Sequence, residues 1–148
     1  MDAEAELEGF IARFTDAVAT DIHAARARMR ARLPGAVELV YDNYNALAIG
    51  YGPSERPSEL IFSIAAYPRW VSLFIVGGPH LDDPKRLLKG QGGVVRHIVL
   101  DTLARLADPD VEALMAQALA RAPKPLDPVQ PFRTVIKSVS ARQRPRRP

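Results

Sequence analysis

The chain of 148 residues suffices for one domain with a substantial core, and its 47% apolar and 25% charged content is ordinary globular usage. Its longest charge-free runs, 43–54 and 70–81, fall short of the roughly 20 apolar residues a membrane-spanning helix needs, and the lack of cysteine excludes a disulfide framework, a thiolate zinc site, an iron–sulfur cluster and a cysteine nucleophile. The net charge of +3 is uneven: residues 1–122 hold 13 Lys/Arg against 16 Asp/Glu, whereas the stretch 123–148 sets Lys124, Arg133, Lys137, Arg142, Arg144, Arg146 and Arg147 against Asp127, so an anionic partner or nucleic acid would meet the tail first.

No apolar stretch follows Met1; Asp2, Glu4, Glu6 and Glu8 stand there instead, which argues against a signal peptide and for a cytoplasmic protein. Leu7, Phe10, Ile11, Phe14, Val18, Ile22, Ala25, Met29 and Leu33 recur at helical steps, with Arg13, Asp16, Asp21, Arg26, Arg28 and Arg30 on the solvated side. This predicts one helix, or two with a break near 15–20 in which Thr20 caps the second, ended by Pro34-Gly35. Strand-like runs follow. Val37, Leu39 and Tyr41 alternate with Glu38, Val40 and Asp42, and Leu47, Ile49 and Tyr51 alternate with Ala46, Ala48 and Gly50. Residues 60–66 and 70–76 are nearly all apolar. Short turns between these runs favour antiparallel neighbours.

Residues 80–89, with Asp83-Pro84 as cap and first-turn proline, predict a short helix; 94–100 predict a fifth strand. Asp108-Pro109 opens a further helix whose buried stripe is Val111, Leu114, Met115, Ala118, Leu119 and Ala122. Prolines 123, 125, 128 and 131 make an extended linker, residues 133–140 alternate as an additional edge strand would, and 142–148 are too charged and proline-rich to pack. Strands arrive as a block, without βαβ alternation. The expectation is a single α+β domain over 1–122, a mainly antiparallel sheet of about five strands packed by an N-terminal helix or helix pair and a C-terminal helix, followed by a basic tail over 123–148.

Phosphate-loop, paired-histidine zinc and nucleophile-elbow motifs are absent from the sequence, and nothing pairs a nucleophile with a base, so a binding module is expected before an enzyme, with no cofactor. Lys89, Gly90, Gly92 and Gly93, with Arg96, can form a nest of backbone N–H groups between two cations, which suits an anion. His97 lies on the strand beside it as a further pocket residue. Tyr41, Asn43, Tyr44, Asn45 and Trp70 offer a polar-aromatic surface for a small ligand. His80, Asp82 and Asp83 supply an imidazole and two carboxylates, a weak metal candidate against the simpler reading of a turn and a cap.

Leu33-Pro34-Gly35-Ala36, Glu38, Tyr41, Phe62-Ser63-Ile64-Ala65 and Tyr67, then Leu81-x-Asp83-Pro84, Leu87-Leu88, Gly90-x-Gly92 and Arg96-x-Ile98, resemble the YdhG-like domain family from about Phe14 to Ala122. Tyr41-Asp-Asn-Tyr-Asn-Ala-Leu47 and the basic tail from Arg133 are similar to one bacterial branch of it. The resemblance implies a compact bacterial cytosolic α+β domain and carries over no catalytic residue. One member is regarded as a frataxin-like iron chaperone, which implies iron handling through exposed carboxylates as an alternative function. The leading expectation remains a small-ligand or anion-binding module; contact with nucleic acid through the tail is the other alternative.

Overall fold

The computed structural model describes residues 1–148 apart from the side chain of Leu103. The N-terminal pattern resolves into two helices, α1 (Ala3–Ile11) and α2 (Asp16–Arg32). Asp2 caps α1 by accepting from the Ala5 amide, and Thr15 caps α2 by accepting from Val18. The cap therefore falls at Thr15. Thr20 lies inside α2 and donates to the Asp16 carbonyl one turn back. Strands β1 (Val37–Asp42), β2 (Leu47–Gly52), β3 (Phe62–Ala66), β4 (Val71–Val76) and β5 (Val95–Val99) follow. Helix α3 (Pro109–Arg121) opens on Asp108, whose carboxylate accepts from Asp110, and β6 (Arg133–Val139) comes after the proline linker.

The sheet has six strands in the order β5-β4-β3-β2-β1-β6. Every pairing is antiparallel except β1 with β6, which is parallel. The fold is thus α+β as expected, with one strand more. Residues 133–139 complete the edge of β1, and the pairing is parallel because α3 and the linker return the chain to the end of the sheet where β1 begins. Register carries one buried row straight across the sheet, Val40 opposite Ile49, Ile49 opposite Ile64, Ile64 opposite Leu73 and Leu73 opposite Ile98. This row joins Leu7, Ile11, Phe14, Ile22 and Met29 of the helical segment and Val111, Leu114 and Met115 of α3 in a single core.

The opposite face carries Leu39, Gly50, Ser63, Phe74 and His97 in register, and beside them Tyr41, Ala48, Ala65, Ser72 and Val99. Small residues at its centre let larger neighbours fold over them. A Cβ on Gly50 would stand 2.8 Å from the Leu60 methyls.

The structure corrects three expectations. Residues 80–89 form no α-helix: a 3-10 turn (Gly78–His80) is followed by a loop in which the Asp83 carboxylate takes the amides of Leu87 and Leu88, at 2.9 Å each. A helix cap serves amides two and three residues on, so these bonds close a wider turn, and Arg86 adopts φ 53 within it. Second, Arg26, expected on the solvated side of its helix, is buried and bonded to Glu38 of β1, a strand buried on both faces. Third, the segment beyond β6 packs: Arg146 is buried and laid against the β1–β2 turn.

Candidate functional site

Strand direction decides which candidates can meet. The β1–β2 turn, the β3–β4 turn and the segment after β6 lie at one end of the sheet; the connections 53–61 and 77–94 lie at the other. A strand length of roughly 20 Å separates these ends. Asn43, Tyr44, Asn45 and Trp70 are therefore at one end, and Lys89, Gly90, Gly92 and Gly93 at the other, so no single pocket holds both groups. Trp70 stacks on Tyr67 with ring centroids 4.7 Å apart, within its own turn. Tyr41 is on the outer face; its hydroxyl is buried without a partner among the described residues, and burial raises its pKa.

The glycine loop is fastened to the sheet. Lys89 exchanges two backbone bonds with His97, Gly77 donates to the Val94 carbonyl, and the Arg96 guanidinium donates to the Gly92 carbonyl at 2.8 Å. Arg96 is thereby engaged in holding a carbonyl. His97 packs on Phe74 with centroids 5.1 Å apart. Asp83 is spent on its turn, and the main chain of Asp82 exchanges two bonds with the Gln117 side chain of α3. Among the described residues no group of three or more His, Asp or Glu side chains is placed to hold a metal ion.

At the same end, a cleft of about 340 Å³ opens between the C-terminal turn of α3 and the lower rim of the sheet. Leu60, Ile61, Val76, Leu81, Val94, Ala118 and Ala122 form its apolar wall. Arg121 and Lys124, from the end of α3 and just beyond it, and His80 and Gly93, from the β4–β5 connection, also line it. Neither Arg121 nor Lys124 has an ion-pair partner among the described residues. Glu59, the carboxylate in this lining, accepts from the Ser54 hydroxyl at 2.7 Å and lies 3.9 Å from the Arg56 guanidinium. Val76 and Val94 remain 36% and 64% exposed here, an apolar surface with nothing laid over it. The sequence reading reached His80 and Gly93 but missed Arg121, Lys124 and the wall, which come from four separate segments. The unpaired pair of cations flanking Pro123 was the only signal available locally.

A second polar cluster lies inside the fold. The Arg26 side chain of α2 is 6% exposed and Glu38 of β1 is fully buried. Arg26 donates to both Glu38 oxygens, Nε at 2.9 Å and Nη2 at 2.8 Å, and also grips Glu4 of α1. Glu38 further accepts from the Tyr51 hydroxyl at 2.7 Å and the Thr134 hydroxyl at 2.8 Å. Burial works against the charge on Arg26, but the bonds to Glu4 and Glu38 outweigh it and push its pKa up. The hydrogen bond from Arg26 holds the Glu4 carboxyl below its ordinary value. Burial, and then the Glu38 charge, push the Tyr51 phenol well above its own. The cluster ties α1, α2, β1, β2 and β6 together, and its saturated bonding suits a structural fastening. No family model, curated protein or solved structure matches the chain.

Proposed function

We propose that the protein is a binding module for a small amphipathic anion, taken up in the cleft between α3 and the sheet. The observation that carries this reading is the pairing of a 340 Å³ largely apolar cleft with two lining cations, Arg121 and Lys124, that have no ion-pair partner among the described residues. The volume lies in the range of small-molecule sites, where apolar walls provide affinity and a few polar groups fix orientation. Arg121 suits a carboxylate through its two-pronged fork; Lys124 adds a point charge. His80 and, from the glycine loop, Gly93 complete the lining. The ligand would insert its apolar part against Ile61, Val76 and Ala118 and leave its charged end at Arg121 and Lys124. Membership of the YdhG-like family and a bacterial cytosolic setting belong to the same proposal; the α+β fold is compatible with both.

Iron handling has less support, since Glu4 and Glu8 face Arg26 and His23. Nucleic-acid contact through the tail is weakened by the burial of Arg146.

Calorimetric titration with octanoate, against octanol as the uncharged control, tests the reading. Binding is expected for octanoate, and Arg121→Glu/Lys124→Glu should weaken it by roughly tenfold or more, since the loss of even one charge-assisted interaction accounts for that factor. Ala122→Trp, which fills the cleft, should abolish it. Octanoate affinity that is absent, or indifferent to both variants, would refute the proposal.

A further inference from the structure

At the opposite end of the sheet, the β1–β2 turn forms a socket around the side chain of Arg146. Its walls are the Asp42 carboxylate, the carbonyls of Asn43 and Tyr44, and the ring of Phe14. Arg146 Nη2 donates to Asp42 Oδ1 at 2.8 Å and to the Asn43 carbonyl at 2.5 Å; Nη1 lies 3.5 Å from the Tyr44 carbonyl. The guanidinium carbon sits 5.8 Å from the Phe14 ring centroid. Both charged side chains are 1% exposed. A carboxylate, backbone carbonyls and an aromatic face form a constellation that selects guanidinium over ammonium.

The approach to the socket is read by neighbouring residues as well. The Ser140 amide donates to the Asp42 carbonyl, and the Arg144 amide to the Tyr44 carbonyl. The Gln143 side chain donates to the Asp42 carbonyl at 2.9 Å and accepts from Arg13. The Arg144 guanidinium lies 5.7 Å from the Tyr44 ring centroid. Thus Gln143, Arg144 and Arg146 each meet a dedicated feature of the turn, as an extended peptide does on its receptor.

Two details mark this contact as displaceable. Asp42 Oδ2 and Arg146 Nε are buried without hydrogen-bond partners among the described residues, and Oδ2 has only the Arg13 guanidinium at 3.7 Å, so the desolvation of the pair is compensated only in part. And β6 ends at Val139, so departure of residues 141–148 breaks no strand pairing.

We propose that this socket recognises an arginine side chain presented by an extended peptide, and that the chain's own Gln143–Arg146 stretch is its resident occupant. In the closed state the segment covers Asp42 and lies on Tyr44; an external arginine-bearing peptide gains the site by displacing it. The proposal does not rest on the cleft, which lies at the far end of the sheet.

A fluorescein-labelled peptide, Ala-Arg-Gln-Arg-Pro-Arg-Arg-Pro, tests this by anisotropy against the full chain. Tethering places the resident arginine at a high effective concentration, so the unmodified protein should bind weakly. Arg146→Ala vacates the socket and should bind the peptide at least about tenfold more tightly. The same peptide with alanine at its second-last arginine should bind neither protein. Equal affinity of both proteins for the peptide, or no binding by a folded Arg146→Ala, would overturn the proposal. Should Arg146→Ala fail to fold alone, added peptide must restore its far-ultraviolet circular dichroism, and the alanine peptide must not; failure to restore it overturns the proposal equally.

Discussion

Arg26→Met is the sharpest probe of the interior. Methionine keeps the buried stem of the side chain and removes the guanidinium. Glu38, fully buried, would then keep only the Tyr51 and Thr134 hydroxyls, at 2.7 and 2.8 Å, and would lose both charge-assisted bonds from Arg26. Stranding one member of a buried pair typically costs about 3–5 kcal/mol. The Glu4 contact adds little, because Glu4 is 47% exposed and such pairs contribute under about 1 kcal/mol. With a urea slope of about 1–3 kcal/mol per molar, the midpoint should fall by roughly 2 M. Arg26→Met/Glu38→Gln removes the stranded charge, while the amide oxygen still accepts from Tyr51 and Thr134. This double variant should recover roughly 2 kcal/mol of the loss. Circular dichroism and Trp70 fluorescence followed together through the urea transition measure both values, with coincident curves establishing two-state behaviour. A loss below about 1 kcal/mol for Arg26→Met, or a double variant weaker than the single, would refute the view that Glu38 is a buried charge held by Arg26.

Alkaline stability offers another test. The Tyr51 phenol has a folded pKa above its ordinary 10.0, so its contribution is intact below that value and is lost as pH rises past it. Urea midpoints between about pH 8 and about pH 11 should therefore fall less steeply for Tyr51→Phe, which at neutral pH should be about 1–3 kcal/mol weaker for want of the bond to Glu38; parallel alkaline limbs would contradict the assignment. Gly35 turns the chain from α2 into β1 at φ +80, and a Cβ there would stand 1.7 Å from the Asp127 carbonyl oxygen. Gly35→Ala should cost more than about 2 kcal/mol, whereas Gly9→Ala in α1, with nothing within 4 Å, should stabilise by up to about 1 kcal/mol; comparable thermal midpoints for the two variants would sink the argument.

Local patterns were sufficient for the elements themselves. Asp108-Pro109 marks the start of α3 because capping and the proline restriction act within a few residues, and the apolar runs of β1 to β5 are legible because burial of a strand imposes itself on consecutive positions. The same locality explains the failures. Asp83-Pro84 satisfies a cap pattern, yet its carboxylate found amides further along, at Leu87 and Leu88. Residues 142–148 have the composition of a solvated tail, yet one arginine met a buried acid.

What the sequence determined by itself was the class of fold, the order of its helices and strands apart from the helix expected over 80–89, and the concentration of positive charge after residue 122. Tertiary structure alone decided the fate of the charges. Arg26 and Glu38 are 12 positions apart, Glu38 and Thr134 are 96, and Asp42 and Arg146 are 104. A lone acid in a strand reads as solvent-facing because burying it unpaired is prohibitive; only when register and packing deliver a distant partner does burial become affordable. The cleft follows the same logic, since its wall exists only after α3 is laid across the rim of the sheet.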